Sequence, residues 1–168
     1  MNPTRRSFAR LTLLTAAAFS LRPRHALASL ERKLEPDFSA TMEEDVLKMT
    51  LAVVSREKAD LEISFSDPFL QVEIINGSSR HPISPWEMNF TTPGPLAEAK
   101  RASMSRARMR VSWTRISRGS TTLAVLAVPW PEGVPRDDAT RIAVIVNGTT
   151  AEVPFTLTDD LALETLGS

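Results

Sequence analysis

The chain has no cysteine among its 168 residues, and this excludes a large block of chemistry. Thiol catalysis, thiolate metal sites and haem attachment through cysteine are ruled out. No disulfide can staple the fold, so an apolar core must stabilise it alone. Histidine is nearly as scarce, with only His25 and His81. A lone histidine without thiolates makes a zinc site only if carboxylates fill the other positions, and His81 lies in a Ser/Arg/Pro stretch that reads as a solvated loop. The six glycines are scattered and each reads as a turn, so there is no phosphate-cradling loop. Gly-x-Ser-x-Gly, His-x-x-His and acidic calcium-loop patterns are also missing. The longest apolar run, Leu11 to Leu21, is 11 residues, whereas a spanning helix needs roughly 20.

That short run is informative in its setting. Thr4-Arg5-Arg6-Ser7-Phe8-Ala9-Arg10 precedes it, and Arg22-Pro23-Arg24-His25 and Ala26-Leu27-Ala28 follow. A charged start, a short apolar middle and a small-residue exit are the parts of an export signal. Arg5 and Arg6 with Phe8 two places on resemble a bacterial twin-arginine signal. Ala9 departs from the leucine usual at that place. The resemblance covers residues 4–28 and implies export of an already folded protein to the periplasm, with cleavage expected after Ala28. Five arginines leave with the signal, so the 20 basic residues become 15 against 20 acids, a net charge of −5.

About 140 residues then remain, enough for one domain. Residues 29–41 are polar and read as a linker or arm. Over 42–58 two patterns compete. Thr41-Met42-Glu43-Glu44 matches a helical capping box, but Leu47 to Val53 alternates with period two, and the strand reading, over about 45–55, is preferred. Leu61, Ile63 and Phe65 alternate with polar residues, as do Leu70, Val72 and Ile74 beyond Asp67-Pro68. Paired around that turn, Phe65 would face Leu70, Ile63 Val72, and Leu61 Ile74, giving a half-buried hairpin. Residues 78–85 read as loop, and Trp86, Met88 and Phe90 as one face of a short strand. Pro95 starts a short helix near 95–105. Ala107 to Trp113 reads as a strand, Thr121 to Val128 as a central strand. Ile142 to Val146, Asn147-Gly148 and Ala151 to Phe155 read as a hairpin with a type I′ turn. Pro154 assigns its strand to an edge. Residues 42–158 thus form one domain of about eight strands, with an acidic tail at 159–168. The spacing predicts an all-β antiparallel sandwich of immunoglobulin-like architecture; if 42–58 is helical, the class becomes α+β.

The carboxylate pairs Asp137-Asp138 and Asp159-Asp160 fall in loop and tail. Adjacent residues on an extended chain point opposite ways, so neither is a natural acid/base dyad. The basic stretch is more informative. Lys100 to Arg118 holds seven cations and no acid. Arg106, Arg108 and Arg110 share one face of a strand, about 7 Å apart, and repel one another unless acids or an external anion satisfy them. Cross-strand pairing with Glu62, Glu73 or Glu152 is the structural alternative; a docking face for an acidic partner or anionic ligand is the functional one. Trp86 and Trp113 alternate with polar residues and read as core anchors. Trp130, between Pro129 and Pro131, is the tryptophan expected to be exposed as a contact residue. Nucleic acid is disfavoured by the acidic, exported domain. The reading is an exported binding or assembly module that needs no cofactor or metal and no membrane anchor once the signal is gone. The alternatives are a small carboxylate-based hydrolase and a carrier of an apolar ligand between its sheets.

Overall fold

Alternating apolar and polar residues build this domain strand by strand. The computed structural model describes residues 34–65, 67–104, 113–150 and 153–165; the export signal and its cleavage site lie outside them. In chain order the elements are β1 (Leu34–Glu43), β2 (Val46–Ser55), β3 (Leu61–Ser64), β4 (Leu70–Asn76), β5 (Ser79–Ile83), β6 (Asn89–Phe90), α1 (Pro95–Met104), β7 (Trp113–Ile116), β8 (Gly119–Pro129), β9 (Thr140–Thr150), β10 (Val153–Ala162) and β11 (Glu164–Thr165). One sheet runs β11-β1-β2-β8-β6, and the other runs β5-β4-β9-β3-β7 with β10 also on β9. All strand pairs are antiparallel except β1 with β11. Their inner faces share one core, including Leu47, Leu51, Ile74, Leu126, Ile142 and Val144. The protein is an antiparallel β-sandwich with one short helix among the described residues.

Residues 42–58 hold the end of β1, a turn and β2, with no helix, which settles the class. The Glu43-Glu44 pair that suggested a helix start instead leads into a two-residue turn: Glu43 pairs with Val46, and Glu44 has φ 52°. Residues 34–41 are no linker. They are most of β1, with Leu34, Phe38, Ala40 and Met42 buried. The expected acidic tail is also partly structural, because β10 runs to Ala162 and β11 pairs with β1. Residues 79–83, read as loop, form β5 against β4.

Two hairpin expectations are corrected by β9. β3 and β4 do not pair with each other. Ser64 pairs with Thr149 and Leu70 with Val146, while β10 occupies the other edge of β9. β3 and β4 therefore lie end to end along one edge of β9, interrupted by the chain around Asp67-Pro68. Asn147-Gly148 is not a turn either. It lies inside β9, opposite Thr156 and Phe155, and the ladder continues to Thr150↔Val153. Asn147 secures the interruption: its backbone N–H donates to Phe69 O at 3.1 Å and its Nδ2 to Pro68 O at 2.6 Å. Gly148 makes room for it. A Cβ there would stand 2.9 Å from Ser64 O and 3.1 Å from both Ile63 and Phe155. Pro154 does lie on an edge strand, since β10 is laddered only to β9 among the described residues.

The helix falls where expected. Glu98 N–H donates to Gly94 O at 3.0 Å, and Pro95 takes the first helical position, where a missing N–H costs nothing. The helix buries Leu96, Ala97 and Ala99. Gly94 sits against the β-bulge in β8, where the β2 register shifts between Leu51 and Ala52. A Cβ on Gly94 would come 2.8 Å from Leu123 O.

Candidate functional site

Arg106, Arg108 and Arg110 lie outside the described residues. Their neighbours in the basic stretch divide between the two readings. Arg115 on β7 lies opposite Glu62 on β3 and approaches Asp60 and Glu62, each at 3.7 Å. This is cross-strand pairing with one of the glutamates named from sequence. A second, Glu73, is occupied by Arg80 at 2.9 Å. Such exposed pairs contribute at most about 1 kcal/mol each. Lys100 and Arg101 have no ion pair among the described residues.

The tryptophans exchange their expected roles. Trp130 is only 9% exposed, so it is not a surface contact. Its Nε1–H donates to Val134 O at 2.8 Å, its backbone N–H donates to Asp45 O at 2.8 Å, and Arg136 lies over its ring at 5.7 Å. Arg136 also donates to Glu44 O and to the Asp45 carboxylate. The indole therefore folds the segment after β8 back on itself, with its polar edge satisfied inside, while the Trp130 backbone and Arg136 tie that segment to the β1–β2 turn. Trp86, expected in the core, is 58% exposed. It does not continue the strand of Phe90, because residues 85–87 form a turn. In that turn Trp86 N–H donates to Ser84 Oγ, and the Glu87 carboxylate accepts Ser84 N–H at 2.8 Å. The side chain of Trp113 lies outside the described residues.

Of the carboxylates named from sequence, Asp137 builds structure. Asp137 accepts hydrogen bonds from Asn76 Nδ2 at 3.0 Å, Ala139 N–H at 3.0 Å and Thr140 Oγ1 at 3.2 Å. That network ties the β8–β9 connection to the end of β4. Among the described residues no three of His, Asp and Glu cluster as metal ligands, and no helix is long and apolar enough to cross a membrane.

Two grooves among the described residues bear on the surface chemistry. One, of about 590 Å³, is lined by the outer side of β4, the Asp67-Pro68 segment and the turn after β5. Trp86, Pro68, Pro82 and Pro85 supply its apolar walls; Asp67 and Glu73 are its only charged lining residues. Asp67 is exposed and has no ion pair among the described residues. The second groove, of about 400 Å³, lies between α1 and the β6 segment. Met104, 57% exposed, and Phe90 line it, and among the described residues its only charged lining residues are Lys100 and Arg101. Lys100 Nζ donates to Met88 O at 2.8 Å and lies 5.1 Å over the Phe90 ring, which holds its charge at the groove. The acidic groove has no sequence signature, because Asp67, Glu73 and Trp86 belong to three separate elements. The basic groove was half legible as the start of the acid-free stretch.

No family model matches the sequence, and no curated protein matches it. Among solved structures, the chain is similar to the collagen-binding subdomain of the Enterococcus faecalis surface protein ACE. The identity is 11% and the TM-score 0.30, over 77% of this chain and 94% of that one. A second structure, of the Enterococcus faecalis MSCRAMM ACE described as binding its ligands by the collagen Hug model, is 11% identical at a TM-score of 0.28. That match covers 77% of this chain and 49% of the other, so this chain spans about half of its length.

Proposed function

We propose that this protein is an exported, periplasmic binding module that docks an acidic partner or anionic ligand through the basic surface around the end of α1. The observation that carries the reading is the groove whose only charges among the described residues are Lys100 and Arg101. It opens at the helix whose sequence, from Lys100 onward, runs without an acid into Arg106, Arg108 and Arg110. A cluster of one sign attracts opposite charge over a Debye length of about 8–10 Å. Arg115, already paired with Asp60 and Glu62, belongs to the scaffold. Export through the signal at Arg5, Arg6 and Phe8 would place the module outside the cytoplasm.

The test compares the exported protein with its Arg106→Ser/Arg108→Ser/Arg110→Ser variant on immobilised heparin. The triple variant is expected to elute at clearly lower salt, with unchanged folding by circular dichroism. Equal retention of the two proteins would remove the basic face from the function.

A further inference from the structure

The two grooves are complementary in charge and each has one exposed large apolar side chain. Trp86 and Met104 are the only large hydrophobic residues exposed among the described residues. One lies with Asp67, which has no ion pair among the described residues, and with Glu73, which Arg80 already pairs; the other lies with Lys100 and Arg101. The grooves also adjoin. Trp86 lines the first and Met88 the second, and two residues of chain separate their Cα atoms by no more than about 7 Å. They meet where the chain crosses from β5, at the edge of one sheet, to β6, at the edge of the other.

Adjacent patches of opposite charge on one rim suit a two-fold axis, because each copy then offers its acidic groove to the other's basic groove. We propose that a second copy of this chain is the partner: two molecules associate rim to rim, with Met104 and Arg101 of each seated against Trp86 and Asp67 of the other. The proposal rests on the basic-surface reading above and names its acidic partner. Strand addition is not the mode, because the nearby free edges are blunted. β5 contains Pro82 and β6 has only two residues. Recognition falls to the groove side chains. The charges at stake are exposed, so the association weakens as salt rises.

Sedimentation equilibrium of the exported protein tests this at low and high salt, with Asp67→Lys, with Arg101→Glu, and with the two variants mixed. Both residues are exposed and Asp67 has no ion pair to lose, so each variant should fold as the parent does. A two-fold interface repeats each reversal twice, so each variant alone should dimerise on the order of tenfold more weakly. The mixture should restore a dimer. In the mixed pair the lysine introduced by Asp67→Lys faces the glutamate introduced by Arg101→Glu, and the remaining native Arg101 faces the remaining native Asp67, so both contacts are attractive. Trp86→Ser should weaken the dimer without changing its salt dependence. A parent protein that is monomeric throughout, or a dimer indifferent to both reversals, overturns the proposal. So does a monomer whose Trp86 groove instead holds a basic peptide such as oligolysine, lost on Trp86→Ser. A monomer still retained on heparin through its arginines sinks the dimer and leaves the anion-docking function standing; a dimer with no heparin retention does the reverse.

Discussion

Replacing Gly148 with Ala tests whether this glycine serves close packing or a turn. The new Cβ would meet Ser64 O at 2.9 Å and the side chains of Ile63 and Phe155 at 3.1 Å. A carbonyl in a strand cannot rotate away, so β3 must shift on β9. Overpacking of this kind costs about 1–3 kcal/mol. Against it stands a gain of roughly 0.4–1 kcal/mol, because Ala loses less backbone freedom on folding than Gly. The net expectation is a destabilisation of about 1–2 kcal/mol, or roughly 3–8 °C in Tm for a domain of this size. Urea unfolding measures it as a lower midpoint at unchanged m-value. A double-mutant cycle with Phe155→Leu adds specificity. Shrinking the ring relieves one of the three contacts, so the pair should couple by about 0.5 kcal/mol or more. A Gly148→Ala variant as stable as the parent would refute the packing account, as would a cycle with no coupling.

Two further substitutions probe the segment after β8 and the β1–β2 turn. Trp130→Phe should cost about 1–2 kcal/mol by leaving Val134 O without its indole donor, and Trp130→Ala about 3–5 kcal/mol by opening a cavity; equal midpoints in urea would mean the indole does not hold the segment after β8. Glu44→Gly should stabilise by roughly 0.5 kcal/mol, because φ 52° penalises any Cβ while the Glu44 carbonyl that Arg136 uses is retained. A lower urea midpoint for this variant would contradict the strained turn.

Local pattern was enough for the class of this protein and for the helix. Period-two alternation is a property of neighbours along the chain, and Pro95 acts on its own turn, so neither needs tertiary information. The same locality explains the failures. Asn147-Gly148 has the chemistry of a tight turn, but Asn147 bridges to Pro68 and Phe69, and those partners lie some eighty positions away. Leu61 to Phe65 and Leu70 to Ile74 look like partners because a turn separates them; β9 decides otherwise by offering one edge long enough for both. Residues 34–41 look polar because β1 alternates, and only the sheet shows that its other face is core. Tryptophan placement was illegible for the same reason. Trp130 is buried because Val134, Asp45 and Arg136 converge on it, and Trp86 is exposed because a turn lifts it out of the alternation. Composition alone determined that the fold must hold without disulfides. The juxtaposition of an acidic and a basic groove on one rim was decided by packing, because it joins residues from β4, α1 and the β5–β6 crossing that no spacing along the chain connects.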